Sequence, residues 1–63
     1  MKYTRLGRFL TTADKKYTIE KCYISGAYCI RDNTKKEYIT DEPYMRRWFG
    51  KLKWAKEFIE SLY

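Results

Sequence analysis

In the C-terminal third of the chain, Met45, Trp48, Leu52, Ala55, Ile59 and Leu62 recur at steps of three and four. That spacing places them on one face of an α-helix and predicts an amphipathic element. Asp41 and Glu42 suit its start, by capping and by their charge at the positive end of the helix dipole. Pro43 is tolerated in a first turn whose amides have no intrahelical acceptor. Gly50 interrupts the pattern, because glycine in a helix interior costs about 1 kcal/mol relative to alanine. The helix therefore either runs unbroken from about Pro43 or begins afresh at Lys51.

Upstream the period changes. The segments Tyr17 to Ile24, Ala27 to Asp32 and Glu37 to Thr40 are rich in Ile, Tyr, Thr and Cys, and Ser25-Gly26 and Asn33-Thr34-Lys35-Lys36 separate them. They predict three antiparallel strands joined as a meander. Tyr3 to Leu10 adds a possible fourth strand through a polar loop from Thr11 to Lys16, with Gly7 as its weak point. A tight turn at Ser25-Gly26 sets Glu20 opposite Arg31 and Cys22 opposite Cys29, and the next pairing sets Ile30 opposite Ile39. One sheet face then carries Leu6, Leu10, Tyr17, Ile19, Tyr23, Tyr28, Ile30 and Ile39 and is assigned to the helix. Lys21 falls on that face as well, which requires either a bulge or a lysine stem laid along the apolar surface with its ammonium at the edge. The other face carries Tyr3, Arg5, Phe9, Arg31 and Tyr38, with Glu20 near its centre. The expected architecture is α+β: a three- or four-stranded antiparallel meander packed against one C-terminal amphipathic helix.

At 63 residues the chain is one domain, residues 1–63, with a thin core. Seven Tyr, three Phe and two Trp supply the bulk that length does not. There is no histidine and there are only two cysteines, Cys22 and Cys29, so a zinc staple is not expected and neither is any cofactor. The first residues run into no long apolar segment; the expectation is a cytoplasmic chain without signal peptide or membrane span, its thiols reduced. The cysteine spacing is not Cys-x-x-Cys, and both thiols are expected to pack as small buried hydrophobes.

The run Tyr28-x-Ile30-x-Asp32-x-Thr34, followed by Ile39 and by Phe49-x-x-Leu52-x-x-Ala55-Lys56-x-Phe58-Ile59, resembles small meander-plus-helix proteins encoded by phages and other mobile elements. The resemblance spans residues 28–62. Such proteins mostly have no assigned activity, so it implies a layout and carries over no functional residue. The same layout is similar to the sheet-and-helix DNA-binding domains at the front of some integrases, a likeness of fold and not of site.

Fourteen Lys and Arg against eight Asp and Glu give a net charge of +6 and a pI near 9.4, which points to an anionic partner. Without histidine there is no ready general base. Asp41-Glu42 reads as a helix start, and Glu57 and Glu60 as a solvated helix face, so no enzymatic activity is expected. Three features read as binding chemistry. Arg5, Arg31 and Tyr38, with Tyr3 and Phe9, interleave rings and guanidiniums on the outer sheet face, where bases can stack while cations hold phosphates; an ordinary half-exposed strand face is the structural alternative. Arg46, Arg47, Lys51, Lys53 and Lys56 form the densest positive run, suited to phosphate contact or simply to a wet helix face. Trp54 lies outside the apolar arc of the helix and is expected to be partly exposed, forming with Phe58 a ring pair rimmed by Lys51 and Lys53, unless the N-terminal segment covers it. The expected function is a non-enzymatic basic module that binds nucleic acid, DNA or RNA. The alternative is a phage-type accessory protein that binds an acidic host protein surface through Trp54, Phe58 and a sheet edge.

Overall fold

The computed structural model describes residues 1–42 and 45–63. Five strands, β1 (Tyr3–Leu6), β2 (Phe9–Thr12), β3 (Tyr17–Lys21), β4 (Tyr28–Asp32) and β5 (Glu37–Tyr38), form one sheet in chain order, each antiparallel to the next. Two further short strands, β6 (Thr40–Glu42) and β7 (Met45–Arg46), pair with each other, and the helix α1 (Leu52–Ser61) ends the chain. The class is α+β, with more strands than the sequence pattern indicates.

The first difference lies at Gly7. Tyr3 to Leu10 is not one strand but a hairpin, with Leu6 paired to Phe9 and Gly7 at a φ of 63° between them. A two-residue reversal needs a left-handed backbone, which glycine adopts without steric cost. Thr11 and Thr12 consequently belong to β2 and not to a loop. Reversal also changes the faces: Arg5 pairs with Leu10 and Tyr3 with Thr12, so both lie on the helix side, while Leu6 passes to the outer face and is 78% exposed.

The second difference lies between β3 and β4. Ser25-Gly26 is part of a six-residue loop, closed by Cys22 N–H donating to the Ala27 carbonyl (2.8 Å) and Gly26 N–H to the Cys22 carbonyl (2.7 Å), with Gly26 at a φ of 77°. The register is therefore offset by two residues: Glu20 faces Cys29 and not Arg31, and Cys22 does not face Cys29. Because the offset is even, side chains keep their faces. Ile19 pairs with Ile30, and Ile39 N–H reaches the Ile30 carbonyl at 2.9 Å. The ladder runs unbroken through Lys21, whose ammonium sits 5.8 Å from the Tyr28 ring, so the edge-lysine alternative holds.

The third difference is the helix start. Phe49 exchanges two backbone hydrogen bonds with Tyr28, at 2.7 and 2.8 Å, which fixes extended backbone there. Met45 lies in β7 and Trp48 follows it, 61% and 47% exposed, so neither belongs to the helical stripe despite the spacing. Asp41 and Glu42 lie in β6, well before the first residue of the helix at Leu52; the Pro43 position falls outside the described residues. The helix begins after Gly50, with Lys51 as its N-cap, no side-chain cap and no acidic residue in its first turn.

Leu10, Ile19 and Ile30 from three adjacent strands meet Phe49, Ala55 and Ile59 to form the core, and Tyr3, Tyr17, Tyr28, Ile39, Leu52 and Phe58 pack around it. Tyr23, expected there, is 78% exposed because it lies in the loop beyond the last paired residue of β3. Leu62, the last residue of the expected stripe, is 45% exposed at the C-cap. Among the described residues no helix is long and apolar enough to cross a membrane.

One end of the sheet is sealed by polar side chains. Asp14 accepts hydrogen bonds from the Thr12 hydroxyl (2.6 Å), Lys16 N–H (3.0 Å) and the Tyr63 hydroxyl (2.6 Å), which ties the C-terminus to the β2–β3 turn. These donors lower the Asp14 pKa from its ordinary 3.8 to about 2. Asn33 bridges the neighbouring turn through its amide, donating to the Lys15 carbonyl (3.1 Å) and the Thr18 hydroxyl (2.8 Å).

Candidate functional site

The opposite end gathers the β1–β2 turn, the β3–β4 loop and the segment from β7 to Phe49. On the outer face of the sheet Arg31 pairs with Tyr38, and Glu20 pairs with Cys29 and with Phe9. The Tyr38 ring carries the Arg46 guanidinium at 3.8 Å and Arg31 at 5.9 Å, and its hydroxyl donates to Glu20 at 2.7 Å. That bond to a carboxylate raises the Tyr38 pKa. Nearby, Arg8 lies 5.1 Å from the Phe9 ring and 5.6 Å from the Tyr23 ring. The geometry is a set of guanidinium–ring pairs around one corner of the sheet.

A small cavity of about 160 Å³ opens at this corner, lined by Arg8, Glu20, Lys21 and Arg46, by Tyr23 and Trp48, and by both cysteines. Cys29 is buried, and burial with the nearby Glu20 pushes its thiol pKa up. Cys22 is half-exposed, contrary to expectation, and hydrogen bonds from the Ser25 hydroxyl and from the Ser25 and Ile24 amides lower its pKa. Both thiols are free.

A second, larger depression of about 550 Å³ shares Trp48 with the cavity as a lining residue. Trp54, Phe58 and Glu57 come to it from α1, and Asp41 and Arg47 from the β6–β7 region. Arg47 is committed there: it forms an ion pair with Asp41 at 2.9 Å and lies 5.0 Å from the Phe58 ring. Trp54 is half-exposed, as expected, but its partner differs. Phe58 is drawn toward the core and packs on Phe49 at 5.5 Å between centroids.

Of the residues singled out from sequence, Arg31, Tyr38 and Arg46 come together on the outer face, and Arg47, Trp54 and Phe58 around the larger groove. Lys51 sits 5.2 Å from the Trp54 ring, and Lys53 is exposed on α1. Arg5 is separated from the group by the Gly7 reversal and donates to the Gly7 carbonyl at 3.4 Å. Sequence reasoning misses Arg8, Lys21, Tyr23 and Trp48. The available signals are Gly7 read as a turn, which brings Arg8 to the end of the sheet, and the strand bond made by Phe49, which frees Trp48 from the helix.

Among the described residues no group of three or more metal-ligating side chains gathers. No family model, curated protein or solved structure matches the chain.

Proposed function

We propose that this protein is a non-enzymatic binding module that contacts nucleic acid through the basic outer corner of its sheet, with Arg8, Arg31 and Arg46 on phosphates and Tyr23 and Trp48 stacking on bases. The observation that carries this reading is the set of guanidinium–ring pairs, above all Arg46 on Tyr38 at 3.8 Å and Arg8 between Phe9 and Tyr23. A guanidinium laid on a ring is held in place, while its N–H donors, which lie in its own plane, remain suited to phosphate oxygens. The net charge of +6 supplies the sequence-independent attraction.

The test is binding of a fluorescent oligonucleotide as a function of salt. Affinity is expected to fall with a slope of about −0.7 per single-strand phosphate contact, and Arg8→Ala with Arg46→Ala to flatten it by about 1 to 2 contacts' worth. One observation favours a second reading: Ile24, 81% exposed at the loop tip beside Tyr23, is an aliphatic side chain with little to offer a base. An accessory protein of the phage type, gripping an acidic protein surface, would use it. In that case the intact protein binds no oligonucleotide even at low salt.

A further inference from the structure

Trp48 lines both depressions, the 160 Å³ cavity and the 550 Å³ groove. We propose, resting on the nucleic-acid reading, that the two form one track for a single strand, with a backbone phosphate in the cavity and an unpaired base in the groove between Trp48 and Trp54.

Size divides the two roles. Sites for whole small ligands enclose about 300–1,000 Å³. The cavity is too small for that and admits one compact group, whereas the groove falls within the range. Charge divides them in the same way. The cavity is lined by two guanidinium-bearing residues, Arg8 and Arg46, against one carboxylate, Glu20, which is already engaged by the Tyr38 hydroxyl; the Lys21 ammonium lies over the Tyr28 ring on the other face of the sheet. In the groove Arg47 is paired with Asp41, which leaves Glu57. A phosphate is unwelcome beside that carboxylate, but an uncharged base is not, and its N–H edge has an acceptor there.

The rings are suited to stacking. Trp48 and Trp54 are 47% and 50% exposed, so each keeps an accessible surface while anchored. Trp54 rests against Gly50, 3.5 Å from where a β-carbon would stand, and this supports the ring. A base held in a duplex remains stacked and paired and cannot enter the groove, so the track selects single strands.

The test titrates the intact protein at low salt with a single-stranded oligonucleotide and with a blunt duplex of the same length, following tryptophan fluorescence and anisotropy together. The single strand is expected to quench the signal and to bind at least about tenfold more tightly than the duplex. Trp54→Ala is expected to weaken single-strand binding about 5- to 150-fold, the worth of one stacked base, with the salt slope unchanged. Trp54→Phe, which keeps a ring, is expected to restore most of that loss. Equal affinity for strand and duplex, or a Trp54→Ala variant that binds as the parent does, overturns the track and leaves phosphate contact by the basic corner standing. Absence of binding to either oligonucleotide overturns both.

Discussion

The two ends of the sheet use side chains in opposite ways. At the Asp14 end, a network of polar side chains is spent on the protein itself: three donors converge on one carboxylate, and Asn33 stitches two turns together. At the Trp48 end, Leu6, Tyr23, Ile24, Met45 and Trp48 are all substantially exposed, cations lie among them, and α1 starts on a lysine without a cap. A domain of 63 residues has a total stability of only about 3–9 kcal/mol, at roughly 0.05–0.15 kcal/mol per residue. Met1, Leu62 and Tyr63 are exposed at the chain termini on the Asp14 side as well, but the Tyr63 hydroxyl is bonded to Asp14. The five large apolar side chains at the Trp48 end lie instead among cations, and such a cluster marks a surface that meets a partner.

The core beneath both ends is common to them, so its truncation should remove the contrast altogether. Ile30→Ala or Ile59→Ala, at positions with no exposed surface, is expected to cost about 2–5 kcal/mol. Urea unfolding of either variant should show a much reduced midpoint, while Lys53→Ala on the wet face should stay within about 0.5 kcal/mol of the parent.

The missing cap offers a change of intermediate size. Lys51→Asp supplies a side-chain acceptor and a favourable charge at the helix N-terminus, and should stabilise by about 1 kcal/mol in the same measurement. A neutral or destabilising result would mean that the helix start is satisfied in another way.

The sealed end predicts a pH dependence. The Asp14 pKa is depressed from 3.8 to about 2 in the folded chain, so its contribution is fully present above the unfolded value and is lost as pH falls toward about 2. The melting temperature of the parent should therefore drop between about pH 5 and pH 2, and Asp14→Asn should show a lower melting temperature at neutral pH and a shallower acid drop. Oligonucleotide binding by Asp14→Asn, measured well below its melting temperature, should be unaffected, because the residue lies at the far end.

The smallest effect concerns the thiols. With both cysteines free and not paired across the strands, reductant should leave the melting temperature unchanged. A maleimide should label Cys22 well before the buried Cys29.

The sealed end and the core were more legible than the open end, for a physical reason. Ile19, Ile30 and Ile59 are read from periodicity because burial on one face imposes it. The Asn33 to Lys36 turn is read because its residue types announce a reversal. At the open end two punctuation marks carry everything, and each has two meanings. Gly7 is either a weak strand residue or a hairpin turn, and only the second brings Arg8 beside Tyr23. Gly50 is either a helix flaw or a boundary, and only the second frees Trp48. The steps from Met45 to Trp48 to Leu52 match a helix, but the long-range bonds of Phe49 to Tyr28 override them, and no local pattern contains that information.

The measurement that bears most directly on the open end as a nucleic-acid surface is the salt dependence of oligonucleotide affinity for the parent and for the Arg8→Ala, Arg46→Ala double variant. Nucleic-acid binding through this corner predicts a log–log slope for the parent of several times −0.7, and a slope shallower by about 0.7 to 1.4 in the double variant with its melting temperature preserved. A double variant with the same slope and affinity as the parent, or a parent that binds no oligonucleotide at low salt, would contradict it.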